Sequence, residues 1–312
     1  MDKRTATVLA VLFGGLFLLF FGFLFFAFQV VKGDSAAAGM MSTGPQVGVV
    51  DIKGVIGDDE HGVKADDVVK SLRRFRENSE IVAIVLRIDS PGGAVAPSQE
   101  IFAEVRKTAA KKHVVVSMGN LAASGGYYIA CGADYIIANG GTLTGSIGVI
   151  SQFFEVKDLL EGWKVHEETI KSGKYKDIGS PFRTWSDADR AYFQQLIDDV
   201  YGQFVQAVAD GRKLKVEDVR ELAQGRVYTG AQAKEHKLVD ALGTMDDALH
   251  KAATLAGATG EPRAVYPPKE RDFSLREFLS SAFAGAAAGA MSGARSSIAS
   301  PGLQVLWPGA AK

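Results

Sequence analysis

An α/β fold with a parallel sheet covered on both faces is what this sequence predicts, and three observations predict it. Runs of β-branched and aliphatic residues alternate with amphipathic segments from Val47 onward. The run at 81–88 is apolar at nearly every position, as a strand buried on both faces must be. Two glycine turns, Ser90-Pro91-Gly92-Gly93 and Ala123-Ser124-Gly125-Gly126, each lead into a helical segment.

The elements follow in order. Residues 5–31 contain no charge, and the 25 residues from Thr7 would extend about 37 Å as a helix, enough for a hydrocarbon core of about 30 Å. Residues 1–32 are therefore expected to be a short N-terminus and one transmembrane anchor, longer than a secretory h-region, although Ala36 and Ala38 offer a small-residue cleavage pattern. Lys3 and Arg4 before the span against Lys32 after it place the N-terminus in the cytoplasm and the rest of the chain outside. Residues 33–45 read as a linker. Alternation at 47–56 predicts a strand, and Val68, Val69, Leu72 and Phe75 predict a helix over 65–78. A strand at 81–88, a helix at about 97–107, a strand at 113–118, a helix from Ser124 and a strand at 135–138 come next. A long amphipathic helix starts after Ser186 and reaches Gly211, with Phe193, Leu196, Val200, Phe204 and Val208 at spacings of three and four. Short helices are expected at 216–223 and 231–237, then a strand or turn at 238–240. The folded domain is placed at 46–260. The Ala/Gly/Ser-rich segment 261–312 reads as a low-complexity tail with a weak surface helix at 273–283.

Composition excludes several classes. A net charge of −1 and the lack of a basic cluster argue against a nucleic-acid partner. The single cysteine, Cys131, allows no intrachain disulfide and reads as a small buried hydrophobe. The histidines form no spaced set with it for a metal.

Ser124 is the residue of chemical interest. A serine at a helix start lies beside unpaired N–H groups that suit a developing oxyanion, although taken alone it reads first as a helix cap. The Gly92-Gly93 turn at a strand end can present further N–H groups into the crevice where α/β sheets bind ligands. Downstream, the turn at 142–149 supplies Ser146, and the loop at 169–183 supplies Lys171, Lys174 and Lys176.

The blocks SPGG, ASGGYYIACGAD, TGSIGVI, KSGKYKDIGSPFR and GRVYTGAQAKEHKLVDALG, in that order, resemble the signal peptide peptidase A family. These are membrane-bound serine–lysine proteases of the Clp protease/crotonase superfamily, and the resemblance covers about residues 46–256. It implies a repeated β-β-α superhelix, Ser124 as nucleophile, Lys176 as general base and Gly93 with Gly125 as oxyanion donors. Ser146 would hydrogen-bond the lysine amine. It also implies homo-oligomers, no cofactor or metal, and membrane-retained signal peptides as substrates on the outer side of a bacterial cytoplasmic membrane.

Physics sets a condition on that mechanism. A free lysine titrates near 10.4, so it accepts a proton from serine at neutral pH only if burial lowers that value to roughly 7–8, a cost of about 3–5 kcal/mol. An aspartate facing the amine would act the other way, so Asp177 must turn aside or pair with another base such as Arg183. The residues alone do not choose among the three lysines. No histidine sits beside a glycine turn, and Ala123-Ser124-Gly125 lacks the Gly-x-Ser-x-Gly elbow of an ordinary α/β-hydrolase. The competing readings are a membrane-protein quality-control protease of the same superfamily, an inert oligomeric membrane scaffold, and a crotonase-type coenzyme A enzyme.

Overall fold

The structure, a computed structural model, describes residues 44–57 and 62–268, and Gly22 alone of the segment ahead of them. The expected transmembrane anchor, most of the linker, the polar stretch 58–61 and the surface helix expected at 273–283 lie outside the described residues. Among the described residues, no helix is long and apolar enough to cross a membrane.

One mixed sheet organises the domain. Its strands are β1 (Gln46–Lys53), β2 (Ile81–Ser90), β3 (Val114–Ala123), β4 (Tyr135–Ala138), β5 (Leu143–Gly145), β6 (Val227–Thr229), β7 (Ala241–Leu242) and β8 (Arg263–Val265). The order is β6-β5-β3-β2-β1-β8, with β4 on β3 and β7 on β4. Every pairing is parallel except β5 with β6. The helices are α1 (Ala65–Glu77), α2 (Val95–Ala109), α3 (Gly125–Ala130), α4 (Lys157–Gly162), α5 (Asp187–Arg212), α6 (Val216–Leu222), α7 (Gly230–Glu235) and α8 (Met245–Leu255). This mixed α/β sheet is consistent with a Clp protease-like fold.

The period-two pattern of the central strands sorts their side chains into two cores. Ile84, Leu86 and Ile88 of β2 and Val114, Val116 and Met118 of β3 join one core with Leu72, Phe75, Ile101 and Tyr127 from the helices. Ala83, Val85 and Val115 point the other way, onto Ala248, Ala252 and Ala253 of α8. Helix α8 was not foreseen in the sequence, because its buried face is alanine and carries little hydrophobic contrast. Those small side chains are what let it lie close to the sheet. Strand β8 was likewise missed: it pairs with β1 through Gln46 to Gly48 and carries the sheet beyond the boundary expected at 260.

Strand β3 runs five residues further than the pattern suggests. Gly119-Asn120 reads locally as a break, yet the Asp89 carboxylate accepts the Leu121 N–H at 3.2 Å, and a Cβ on Gly119 would stand 2.8 Å from Asp89 Cγ. The extension matters because β4 pairs only with Val115 to Ser117 of the strand, whereas the last three residues of the extension pair with β5. The strand thereby delivers the chain directly to Ser124.

Helix α5 is anchored at both ends. Its N-terminus has a capping box between Ser186 and Asp189, and its C-terminal half buries Phe204, Val205 and Val208. Gly211 crosses the end of α3 so closely that a Cβ there would stand 2.1 Å from the Cys131 carbonyl oxygen. Gly211→Ala is therefore expected to destabilise the domain by about 3 kcal/mol, the upper end of overpacking costs, read as a lower denaturant midpoint at unchanged slope. Cys131 itself is fully buried, and burial pushes its thiol up to about 12, as befits a core residue rather than a nucleophile.

Candidate active site

Ser124 occupies a backbone conformation that serine seldom adopts, φ 52° and ψ −121°. These angles match the first central position of a type II′ turn, where glycine is usual. Two hydrogen bonds from the main chain hold it there. Its N–H donates to Gly145 O at 2.9 Å, and its carbonyl accepts the Tyr128 N–H at 2.8 Å as α3 begins. The hydroxyl makes no capping hydrogen bond to the helix. The side chain of Ser124 is thus presented at a strand-to-helix turn with its oxygen uncommitted, unlike the ordinary helix cap that the sequence alone favours.

The Gly92-Gly93 turn stands against this serine. The Ile56 N–H donates to Gly92 O at 2.9 Å and the Ala94 N–H donates to Ile56 O at 2.8 Å, so the turn is stitched to the end of the first strand segment on both sides of Gly93. The Gly93 and Gly125 N–H groups donate to no protein acceptor among the described residues. A Cβ on Gly125 would lie 3.3 Å from Gly93 N, which places the two backbones side by side. Gly92, for which the sequence alone implies only a place in this turn, has φ +97°. A Cβ there would stand 2.6 Å from Gly125 N and 2.8 Å from Ser124 Cβ. Only glycine fits that position.

Ser124 borders two hollows. One, of about 100 Å³, is lined by Gly93, Gly125, Tyr128, Val200 and Phe204 and is mainly apolar. Tyr128 is wedged there between Phe102 and Phe204, with ring centroids 5.0 Å away on each side. Its place was readable in principle, since it lies four residues after Ser124 on the same helix face. The other hollow is an open cleft of about 600 Å³ that brings Ser146, Val149, Ile150 and Tyr201 to Ser124. Ser146 shares the unusual backbone of Ser124, with φ 51°, and its N–H donates to Arg226 O at 2.7 Å.

The structure brings Ser124, Gly93, Gly125 and Ser146 together, but it does not bring Lys176 to them within one chain. Lys176 is exposed, lines neither hollow and has no side-chain partner among the described residues. It lies in the segment between β5 and α5, much of whose apolar surface is uncovered, with Ile150 78% and Ile170 94% exposed. The other two lysines are engaged. Lys171 bonds both oxygens of Asp177 at 2.7 Å, and Lys174 lies 5.1 Å from the Tyr175 ring centroid. Asp177 also pairs with Arg183, the base that its sequence neighbourhood suggested.

None of the four described histidines lines either hollow: His113 pairs with Asp134, His250 lies near Asp246 and Glu261, and His236 packs on Tyr228. Asp246, His250 and Glu261 form the one described cluster with metal-ligand spacing, but all three are exposed and none borders Ser124.

Comparisons with known proteins point to proteases. The model of Peptidase family S49 matches residues 106–259, and that of Clp protease matches residues 51–139. A protein of Synechocystis sp. that bears a provisional protease name is 52% identical over 190 residues, covering 61% of this chain and 68% of that protein. Protease 4 of Salmonella typhi is 42% identical over 218 residues, 69% of this chain but only 35% of its own length. A protein of Enterococcus faecium provisionally named signal peptide peptidase SppA is 41% identical over 181 residues, 57% of this chain and 52% of that protein.

Proposed function

Because this chain belongs to peptidase family S49, we propose that it is a serine endopeptidase with Ser124 as nucleophile and Lys176 as general base. The observation that carries the reading is the uncapped Ser124 hydroxyl beside the unpaired Gly93 and Gly125 N–H groups. Lys176 Nζ takes the proton of Ser124 Oγ as that oxygen bonds the substrate carbonyl carbon. The two glycine N–H groups receive the oxyanion, and the leaving amine departs with the proton from the lysine. Water, deprotonated by the Lys176 amine, then attacks the acyl carbon, and the lysine returns that proton to Ser124 Oγ as the C–O bond of the acyl-enzyme breaks and the product acid leaves. Ser146, which borders the same cleft, orients the lysine amine.

Since Lys176 is exposed and apart from Ser124 in one chain, the dyad is completed by a second copy, whose approach also covers the apolar segment around it. Desolvation on assembly is the means by which a lysine becomes a base near neutral pH. Mixing Ser124→Ala chains with Lys176→Ala chains is the test. Each variant alone should be inactive, and co-assembled mixtures should regain a substantial fraction of wild-type cleavage. A Lys176→Ala enzyme that stays fully active would remove lysine from the mechanism.

The substrates we propose are signal peptides left in a bacterial cytoplasmic membrane, with the domain on its outer face and residues 1–32 as the anchor. The uncharged run at 5–31, the apolar hollow beside Ser124 and the name of the Enterococcus relative support this. Tethering would raise the local concentration of membrane-held peptides. Mass spectrometry of cleavage products decides it: equal turnover of folded polar proteins and apolar peptides would count against this substrate class.

A further inference from the structure

The loop that carries Lys176 is fastened by charges. Arg183 donates from Nε to Asp177 Oδ2 at 2.8 Å and from Nη2 to Asp177 Oδ1 at 3.0 Å. Its third nitrogen, Nη1, donates to Asp189 Oδ2 at 2.7 Å, and Asp189 is the carboxylate of the α5 capping box. One guanidinium thus ties the lysine loop to the start of the long helix, using the planar fork that only arginine offers. Lys171 holds the same Asp177 carboxylate from its other side. Although neighbours in sequence, Asp177 and Lys176 face differently: the Asp177 side chain is 9% exposed, whereas Lys176 is an exposed residue.

We propose that Arg183 is a positioning residue for the base, clamping Asp177 against the α5 cap and so keeping that carboxylate away from the Lys176 amine. The proposal rests on the assignment of Lys176 as base. Its physical content is simple. A carboxylate released beside an ammonium stabilises the protonated form and withholds the base. The hydrogen bonds from Arg183 and Lys171 hold the Asp177 carboxyl well below the usual carboxylate range, at about 2, so it stays ionised and paired at every pH at which the enzyme would work. The other ionisable groups around the loop include Lys174, Tyr175 and the Tyr192 stacked on it, Glu155 bonded to Thr184, Glu167 bonded to Thr169, and Asp187 and Arg190 in the first turn of α5. Asp198 is the charged residue lining the Ser124 cleft. All of them are unchanged in the variants below, so they add the same offset throughout.

The experiment is the pH dependence of peptide cleavage by the assembled full-length enzyme, from pH 6 to 10, for wild type, Arg183→Gln and Arg183→Gln with Asp177→Asn. The single variant should move the rising limb of kcat/KM upward by about one pH unit, a loss of about tenfold at pH 7 that closes toward pH 10. The double variant should return the limb to its wild-type position, because no carboxylate is left to reach the amine. An unmoved limb in Arg183→Gln overturns the proposal, and so does a limb that stays shifted in the double variant, since both leave Arg183 a purely structural role. Should Arg183→Gln fail to fold, Lys171→Met decides: it frees the same carboxylate in part and must shift the limb the same way. Lys176→Ala runs alongside. If that variant keeps full activity, the base assignment fails; if it is inactive while the limb stays put, only the role of Arg183 fails.

Discussion

Replacing Ser124 with alanine is expected to lower kcat by about 10⁴–10⁶-fold with little change in fold, since loss of a nucleophile removes the covalent route and leaves only binding and the oxyanion donors. The companion variant is more informative. Ser124→Gly should be equally inactive yet more stable than Ser124→Ala by about 1 kcal/mol, because φ 52° with ψ −121° costs a side chain that glycine lacks. Thermal or denaturant unfolding of the two variants reads the difference directly. If Ser124→Gly is the less stable of the pair, the turn is not strained. If Ser124→Ala keeps full activity, the nucleophile lies elsewhere.

The second large effect belongs to Gly92. Its substitution by alanine would set a methyl group 2.6 Å from Gly125 N, directly over one of the two proposed oxyanion donors, and 2.8 Å from Ser124 Cβ. Both neighbours are fixed by main-chain bonds, so neither can yield cheaply. Loss of one such donor costs about 10²–10³-fold in kcat, and Gly92→Ala should reach at least that, with KM changing far less. Gly57→Ala serves as a control: its Cβ meets nothing within 4 Å, and it should leave activity within twofold. A Gly92→Ala enzyme with wild-type kcat would show that the Gly92-Gly93 turn takes no part in the chemistry.

Much of the core was legible because burial writes itself into the order of residues. The strand at 135–138 and the helix at 65–78 matched their elements almost residue for residue, since the first is a short continuous apolar run and the second carries a strong period of 3.6. Legibility failed where contrast was low or where support came from elsewhere. Helix α8 hides in alanines, β5 lies in a small-residue stretch that reads as a turn, β8 is three residues long, and β3 continues through Gly119 because Asp89, thirty residues earlier, holds it.

At the site the division is similar. The sequence by itself determined the chemical inventory: a serine at a glycine-flanked turn, a second glycine turn, a serine near a lysine-bearing loop, and an uncharged N-terminal run long enough for a membrane. Only the tertiary structure decided which of these meet. It set Gly93 beside Gly125, left the Ser124 hydroxyl free of the helix it begins, and gave Asp177 to Arg183 and Lys171. It also left Lys176 exposed and apart from Ser124. Proximity between residues thirty or fifty positions apart is fixed by strand order and by long-range packing, which local periodicity does not encode.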